Sequence, residues 1–183
     1  LYAVRTVAAL LEQAFHVELV VSDFGRRLLM EELSVSADRL LPHLIETYGA
    51  TVECGSLRLH SNKDLGAGIA SGSHGCDGMV IVPCSMKTLA GVAHGLSRNL
   101  VERAADVMLK ERRPLILVPR ETPMSLPQLR NMVTCAEAGA MVLPAMPAFY
   151  QGPKELSDLA DFMAGKVLAA LGLKHNLYPA WKE

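Results

Sequence analysis

Four stretches of this 183-residue chain end an apolar run on side chains that can do chemistry. "VELVVS" stops at Ser22. "GMVIVPCSMKT" stops at Ser85, Met86, Lys87 and Thr88. "PLILVPRE" stops at Arg120 and Glu121, and "AMVLPAMPAFY" runs through a proline-punctuated loop to Tyr150. Hydroxyls beside the unpaired N–H groups of a starting helix suit the polar edge of a ring system or a phosphate. An acid at a strand end, in a partly dry cleft, can move protons. The same residues also read as a polar loop, an Arg–Glu surface pair and a tyrosine that packs its own loop. Arg103 and Lys110 lie seven apart on one helical stretch, on one face and about 10 Å apart along the axis. Two such cations can hold a diphosphate-like or two-phosphate ligand. Equally, Lys110 favours the helix dipole, and Asp106–Lys110 is an ordinary i,i+4 pair. Lys166 in the last helix reads locally as a solvated lysine, and Trp181 in the tail as a packing anchor.

These residues need elements that bring them to one rim. Val4, Val7, Leu10, Leu11 and Ala14 recur at helical spacing, so the sequence enters in a helix. A strand over 17–22, a mostly polar stretch and a helix from Ser36 to about Tyr48, closed by Gly49, come next. "SLRLHS" (56–61) alternates as a short strand, and 62–77 is a Gly, Ser and Ala-rich loop. A strand over 78–84 leads into a small-residue helix. Asn99 caps the next helix, which Pro114 ends before another buried strand. Ser125 caps a helix with proline in its first turn, "AMVLP" is a strand, and the last long helix covers about 155–171. Strands alternate with helices and are continuously apolar, as in a parallel sheet covered on both faces. The expectation is one doubly wound α/β domain over 1–183, with ligands at the carboxyl ends of the strands.

The totals exclude several classes. Half the residues are hydrophobic and the mean hydropathy is +0.23. No apolar run reaches the roughly 18–20 residues of a membrane helix, so the apolar excess is assigned to subunit contacts. A net charge of -1 gives no footprint for nucleic acid or an anionic membrane. Cys54, Cys76, Cys84 and Cys135 form no CxxC pair or zinc spacing, and three of them, in apolar or small-residue contexts, read as the reduced, buried thiols of a cytoplasmic protein. The histidines make no HExxH, and no metal site is expected. "GAGIASG" (66–72) misses the dinucleotide fingerprint by one residue.

Three segments carry a longer signal: "ASGSHGCDGMVIVPCSMKTLAGVAHG", "ERAADVMLKERRPLILVPRETP" and "GAMVLPAMPAFY". Over essentially the whole chain the sequence resembles the UbiX-type flavin prenyltransferases, in the superfamily of flavin-dependent cysteine decarboxylases. The resemblance implies a Rossmann-like homododecamer with sites at subunit junctions, using FMN and no metal. It implies transfer of a dimethylallyl group from dimethylallyl phosphate, or the pyrophosphate in some members, to N5 and C6 of reduced FMN. The prenylated FMN would serve a UbiD-type decarboxylase. The family's flavin contacts fall on Ser22, Ser85, Met86, Lys87, Thr88 and Arg120. Its phosphate-binding and catalytic positions fall on Arg103, Lys110 and Glu121, and its prenyl-phosphate tyrosine on Tyr150. Trp181 falls on an aromatic near the prenyl group. Lys166 stands where the family usually has an arginine, keeping the charge without the bidentate fork. The family also begins with a strand and a glycine-rich phosphate loop ahead of the first helix seen here, so such a segment is expected upstream of Leu1. Two alternatives remain: a cysteine decarboxylase, for which "PRETPMS" lacks the Pro-x-Met-Asn type motif, and a non-catalytic flavin-delivery subunit.

Overall fold

The computed structural model describes residues 1–179. Its elements run α1 (Tyr2–Glu12), β1 (His16–Val21), α2 (Asp23–Leu33), a 3-10 turn at Ala37–Arg39, α3 (Leu40–Tyr48) and β2 (Ser56–Ser61). They continue with β3 (Met79–Cys84), α4 (Met86–Ala93), α5 (Leu100–Lys110), β4 (Leu115–Pro119), α6 (Leu126–Glu137), β5 (Met141–Val142) and α7 (Leu156–Ala170). Every ladder is parallel. β1 pairs β2 with His16 opposite Ser56, and β3–β4–β5 form a second ladder set with Met79 opposite Leu115 and Ile116 opposite Met141. Among the described residues β1 and β3 share no ladder, so the expected single sheet is observed as two parallel pieces.

The apolar runs place the core. β4 is buried along its whole length, as a strand covered on both faces requires. Its side chains alternate between two clusters. Leu115 and Leu117 pack with Leu89, Ala105, Met108 and Cys135 from α4, α5 and α6. Ile116 and Val118 pack with Phe162, Met163 and Val167 of α7. Each such side chain contributes about 1.5–3 kcal/mol of burial. A third cluster holds the β1–β2 piece: Val4, Val7 and Leu11 of α1 meet Leu40, Leu44 and Val52. α1 also reaches α7, where the Arg5 guanidinium pairs with Asp161 while keeping Glu12 at 3.2 Å and the Tyr48 ring centre at 4.9 Å.

Two expectations need correction. Residues 23–33 are a helix, not a polar stretch, and the helix expected from Ser36 begins only at Leu40 after the 3-10 turn. α2 has no fully buried residue. Leu29 and Leu33 only half-bury against the α1 cluster, while Phe24 and Met30 stay exposed, so its apolar stripe is blurred. Its start was legible: Ser22 caps it and Asp23 sits in the first turn. Of the cysteines, Cys84 and Cys135 are fully buried, and burial pushes their thiols up to about 12 and about 11. Cys76 is half-buried and Cys54 exposed; all four are free thiols. Among the described residues no helix is long and apolar enough to cross a membrane, and no group of His, Cys, Asp or Glu side chains could hold a metal ion.

Candidate active site

Ser22 and Ser85 both follow a strand and both build the helix that starts there. Ser22 Oγ accepts the Gly25 N–H at 3.1 Å. Ser85 Oγ accepts the Thr88 N–H at 3.2 Å and donates to Thr88 Oγ1 at 3.1 Å. With Thr88 satisfied by the cap and Leu89 N–H bonded to the Ser85 carbonyl, the N–H groups of Met86 and Lys87 are those of α4's first turn without an intrahelical acceptor. The Met86 side chain is buried with Ile81, Leu89 and Val92. The backbone N–H of Met86 is thus the group it offers at the head of α4. Lys87, Arg120 and Glu121 are exposed. Glu121 accepts the Thr122 N–H at 3.1 Å, and among the described residues it makes no ion pair with Arg120.

The α5 cations are turned toward one loop. Arg103 donates Nε to the Ala70 carbonyl at 3.1 Å and Nη1 to Asp106 at 2.8 Å. Asp106 is thus paired with Arg103, not with Lys110. Lys110 instead meets Glu111 at 2.7 Å, and that neighbouring ammonium, with Arg113 further off, holds the Glu111 carboxyl below the usual range. Just past α5, Arg113 donates to the carbonyls of His74 at 2.7 Å and Gly72 at 2.9 Å. The segment 70–74 is fixed by backbone carbonyls that two arginines hold, a role that apolar periodicity does not reveal.

Tyr150 and Lys166 meet at a residue the sequence reading missed. The Phe162 ring takes Tyr150 edge-on at 6.4 Å and 90°, Tyr178 tilted across it at 5.0 Å, and the Lys166 ammonium at 5.4 Å. Lys166 also lies 5.9 Å from the Tyr178 ring centre. Gly165 makes this possible: a Cβ there would come within 2.4 Å of Tyr178 Cε1. Gln151 Nε2 donates to the Pro179 carbonyl at 3.0 Å, tying the tail to the Tyr150 loop around a cleft of about 240 Å³ lined by Ala148, Phe162 and Tyr178. Burial, and then the Lys166 charge, push the nearby His175 imidazole below its ordinary value. The available signal was spacing, since Phe162 precedes Lys166 by one helical turn. Trp181 lies outside the described residues.

A family model described as Flavoprotein matches residues 1–168. Flavin prenyltransferase UbiX of Halalkalibacterium halodurans is 44% identical over 182 residues, spanning 100% of this chain and 87% of that protein. This chain belongs to the UbiX flavin prenyltransferases. Solved UbiX structures agree in fold. AnUbiX (PadA1), crystallised with FMN and dimethylallyl pyrophosphate, superposes with a TM-score of 0.89 at 35% identity, covering 100% of this chain and 90% of its own. A dodecameric FMN-dependent UbiX-like decarboxylase from Escherichia coli O157:H7 gives 0.88 at 37% identity, covering 100% and 92%. The expected α/β fold of the UbiX family is therefore the observed one.

Proposed function

We propose that this chain is a flavin prenyltransferase that joins the dimethylallyl group of dimethylallyl phosphate to reduced FMN at N5 and C6. The observation that carries the reading is the convergence of Tyr150 and Lys166 on Phe162. An allylic C–O bond that ionises leaves a phosphate and a carbocation. A phenol and an ammonium suit the phosphate, and aromatic faces suit the cation. Trp181, outside the described residues, is given the cation-facing aromatic role on the family resemblance alone.

The rim fits FMN by the chemistry of its donors. Met86 and Lys87 N–H groups at the head of α4, the hydroxyls of Ser22, Ser85 and Thr88, and the exposed guanidinium of Arg120 suit a flavin's polar edge and an anionic tail. When bound, reduced FMN supplies the nucleophilic N5 and C6. Arg103, with Nε and Nη1 engaged, has Nη2 for the leaving phosphate. Lys110 beside it, with Lys166 and Tyr150 supplied by another copy because α5 and α7 lie on opposite faces of β4, complete the phosphate's contacts, and the C–O electron pair departs with it. Glu121, with the released phosphate, accepts and returns the protons displaced by bond formation. Nothing in this scheme calls for a metal. The product is passed to a UbiD-type decarboxylase.

Glu121 and Lys110 are exposed on this chain, and α6 carries exposed Leu126, Leu129 and Val133 at helical spacing. Both features support a site closed by further copies in a dodecamer. Release of inorganic phosphate tests the function. It is expected only when reduced FMN and donor are both present. Release from donor alone, or none with both, contradicts the assignment. Running phosphate and pyrophosphate donors side by side fixes the preferred one.

A further inference from the structure

Lys110 is not an open phosphate contact. Its ammonium lies 2.7 Å from Glu111 Oε1, an exposed side chain at 49% beside one at 35%. The pair rests directly on Gly72. A Cβ at that position would come within 2.1 Å of Glu111 Oε1 and 2.9 Å of Lys110 Nζ. Gly72 itself cannot drift, because Arg113 holds its carbonyl at 2.9 Å and that of His74 at 2.7 Å, while Arg103 holds that of Ala70 at 3.1 Å. An anion arriving at this ammonium meets the carboxylate's negative charge beside it, and must either share the three N–H groups with Glu111 or take its place.

We infer that Glu111 is a positioning residue: it occupies Lys110 as an internal counter-ion, against the glycine seat at 72, and the donor's phosphate displaces it. This rests on the proposed role of Lys110 as a phosphate contact. A ligand gains only the difference between its own interaction and the one it replaces, so Glu111 weakens phosphate binding and hastens its release after transfer. Gly72 sets how closely the carboxylate can hold the ammonium. A larger residue there parts the pair by sterics alone, an independent route to the same effect.

The test titrates inorganic phosphate calorimetrically into the FMN-loaded full chain, and follows phosphate inhibition of transfer in parallel. Glu111→Gln removes the competing charge at nearly constant shape. Phosphate should bind about threefold to fivefold tighter, the scale of one partly exposed ion pair. The donor KM should fall by a similar factor, and kcat should not rise. Glu111→Asp should return binding toward that of the unaltered chain, and Gly72→Ala should move it in the direction of Glu111→Gln. Tightening that appears with Glu111→Gln and is absent with Glu111→Asp is a readout that a merely structural surface pair does not produce. Unchanged or weaker phosphate binding in Glu111→Gln overturns the inference while leaving the role of Lys110 intact, provided Lys110→Ala weakens binding. If Lys110→Ala binds phosphate as the unaltered chain does, the assignment of Lys110 fails and this inference fails with it.

Discussion

Ser85 and Thr88 are bonded twice, backbone N–H to Oγ at 3.2 Å and hydroxyl to hydroxyl at 3.1 Å. The apolar strand β3 ends on these residues because α4 must start there and be capped. The surface proposed to face the flavin is thus made of the helix's own first turn, so that stability and the proposed binding are coupled at Ser85 and more nearly separable at Thr88.

Thr88→Val keeps the backbone N–H that Ser85 caps and removes only the hydroxyl. FMN affinity, followed by fluorescence quenching, should fall by about 1 kcal/mol, the usual worth of one hydrogen bond, with a smaller fall in the urea midpoint than in Ser85→Ala, since only the exposed hydroxyl-to-hydroxyl bond is lost. Ser85→Ala should lose FMN affinity and also about 1 kcal/mol of stability for the missing cap. A Thr88→Val chain that binds FMN as before removes that hydroxyl from the site.

Phe162→Leu keeps an apolar side chain under Tyr150 and Tyr178 but removes the ring on which Lys166 rests. The donor KM should rise by several fold, corresponding to about 0.5–1 kcal/mol of lost cation–π and edge contact, with FMN binding unchanged. A KM that stays put detaches Phe162 from the donor site.

Lys166→Arg should preserve or improve donor affinity, since a guanidinium retains the charge, stacks on the same rings and adds a fork for phosphate. A donor KM more than about tenfold higher, roughly 1.4 kcal/mol, would mean that the site is shaped around the ammonium.

Acid should unfold the chain through two carboxylates held below their ordinary range. Burial raises Glu102, but the Arg98 guanidinium at 2.8 and 3.1 Å, with the Arg98 backbone N–H at 2.9 Å and Asn99, outweighs it. Burial likewise raises Glu18, and His60 and His16 outweigh it. A depressed folded-state pKa contributes stability that is present above the unfolded value and lost as pH falls through the folded one. The loss therefore begins below about 4.5, not near neutrality. Glu102→Gln should cost about 1.5–3 kcal/mol at pH 7 and flatten the acid limb. An acid limb as steep as before assigns the transition elsewhere.

Much of the architecture was legible because its signals are local. Asn99 caps α5 as its spacing implied, accepting the Glu102 N–H at 3.0 Å. Ser125 heads α6, and the apolar runs at 79–84 and 115–119 are strands. α2 was not legible, because half-buried leucines and exposed Phe24 and Met30 leave no clean stripe. The partners of Arg103 and Arg113 are carbonyls more than thirty residues away, which no spacing rule reaches. That the Met86 side chain packs with Ile81, Leu89 and Val92 was not legible from its position after an apolar run, because only three-dimensional packing sets it. Phe162 was hidden for the opposite reason: at helical spacing in an apolar stretch, a ring reads first as core, and it is indeed both core and platform.

The most direct measurement is the mass of the flavin recovered after anaerobic incubation of the chain with reduced FMN and dimethylallyl phosphate, run beside Glu121→Gln. Glu121 is exposed at the end of β4 beside Arg120, where a carboxylate can exchange protons with a flavin lying on the rim. The unaltered chain is expected to yield a flavin heavier by one five-carbon prenyl unit, closed into a fourth ring. Glu121→Gln is expected to bind FMN yet stall before that ring closes. A flavin of unchanged mass from the unaltered chain, with FMN and donor both bound, would contradict the account.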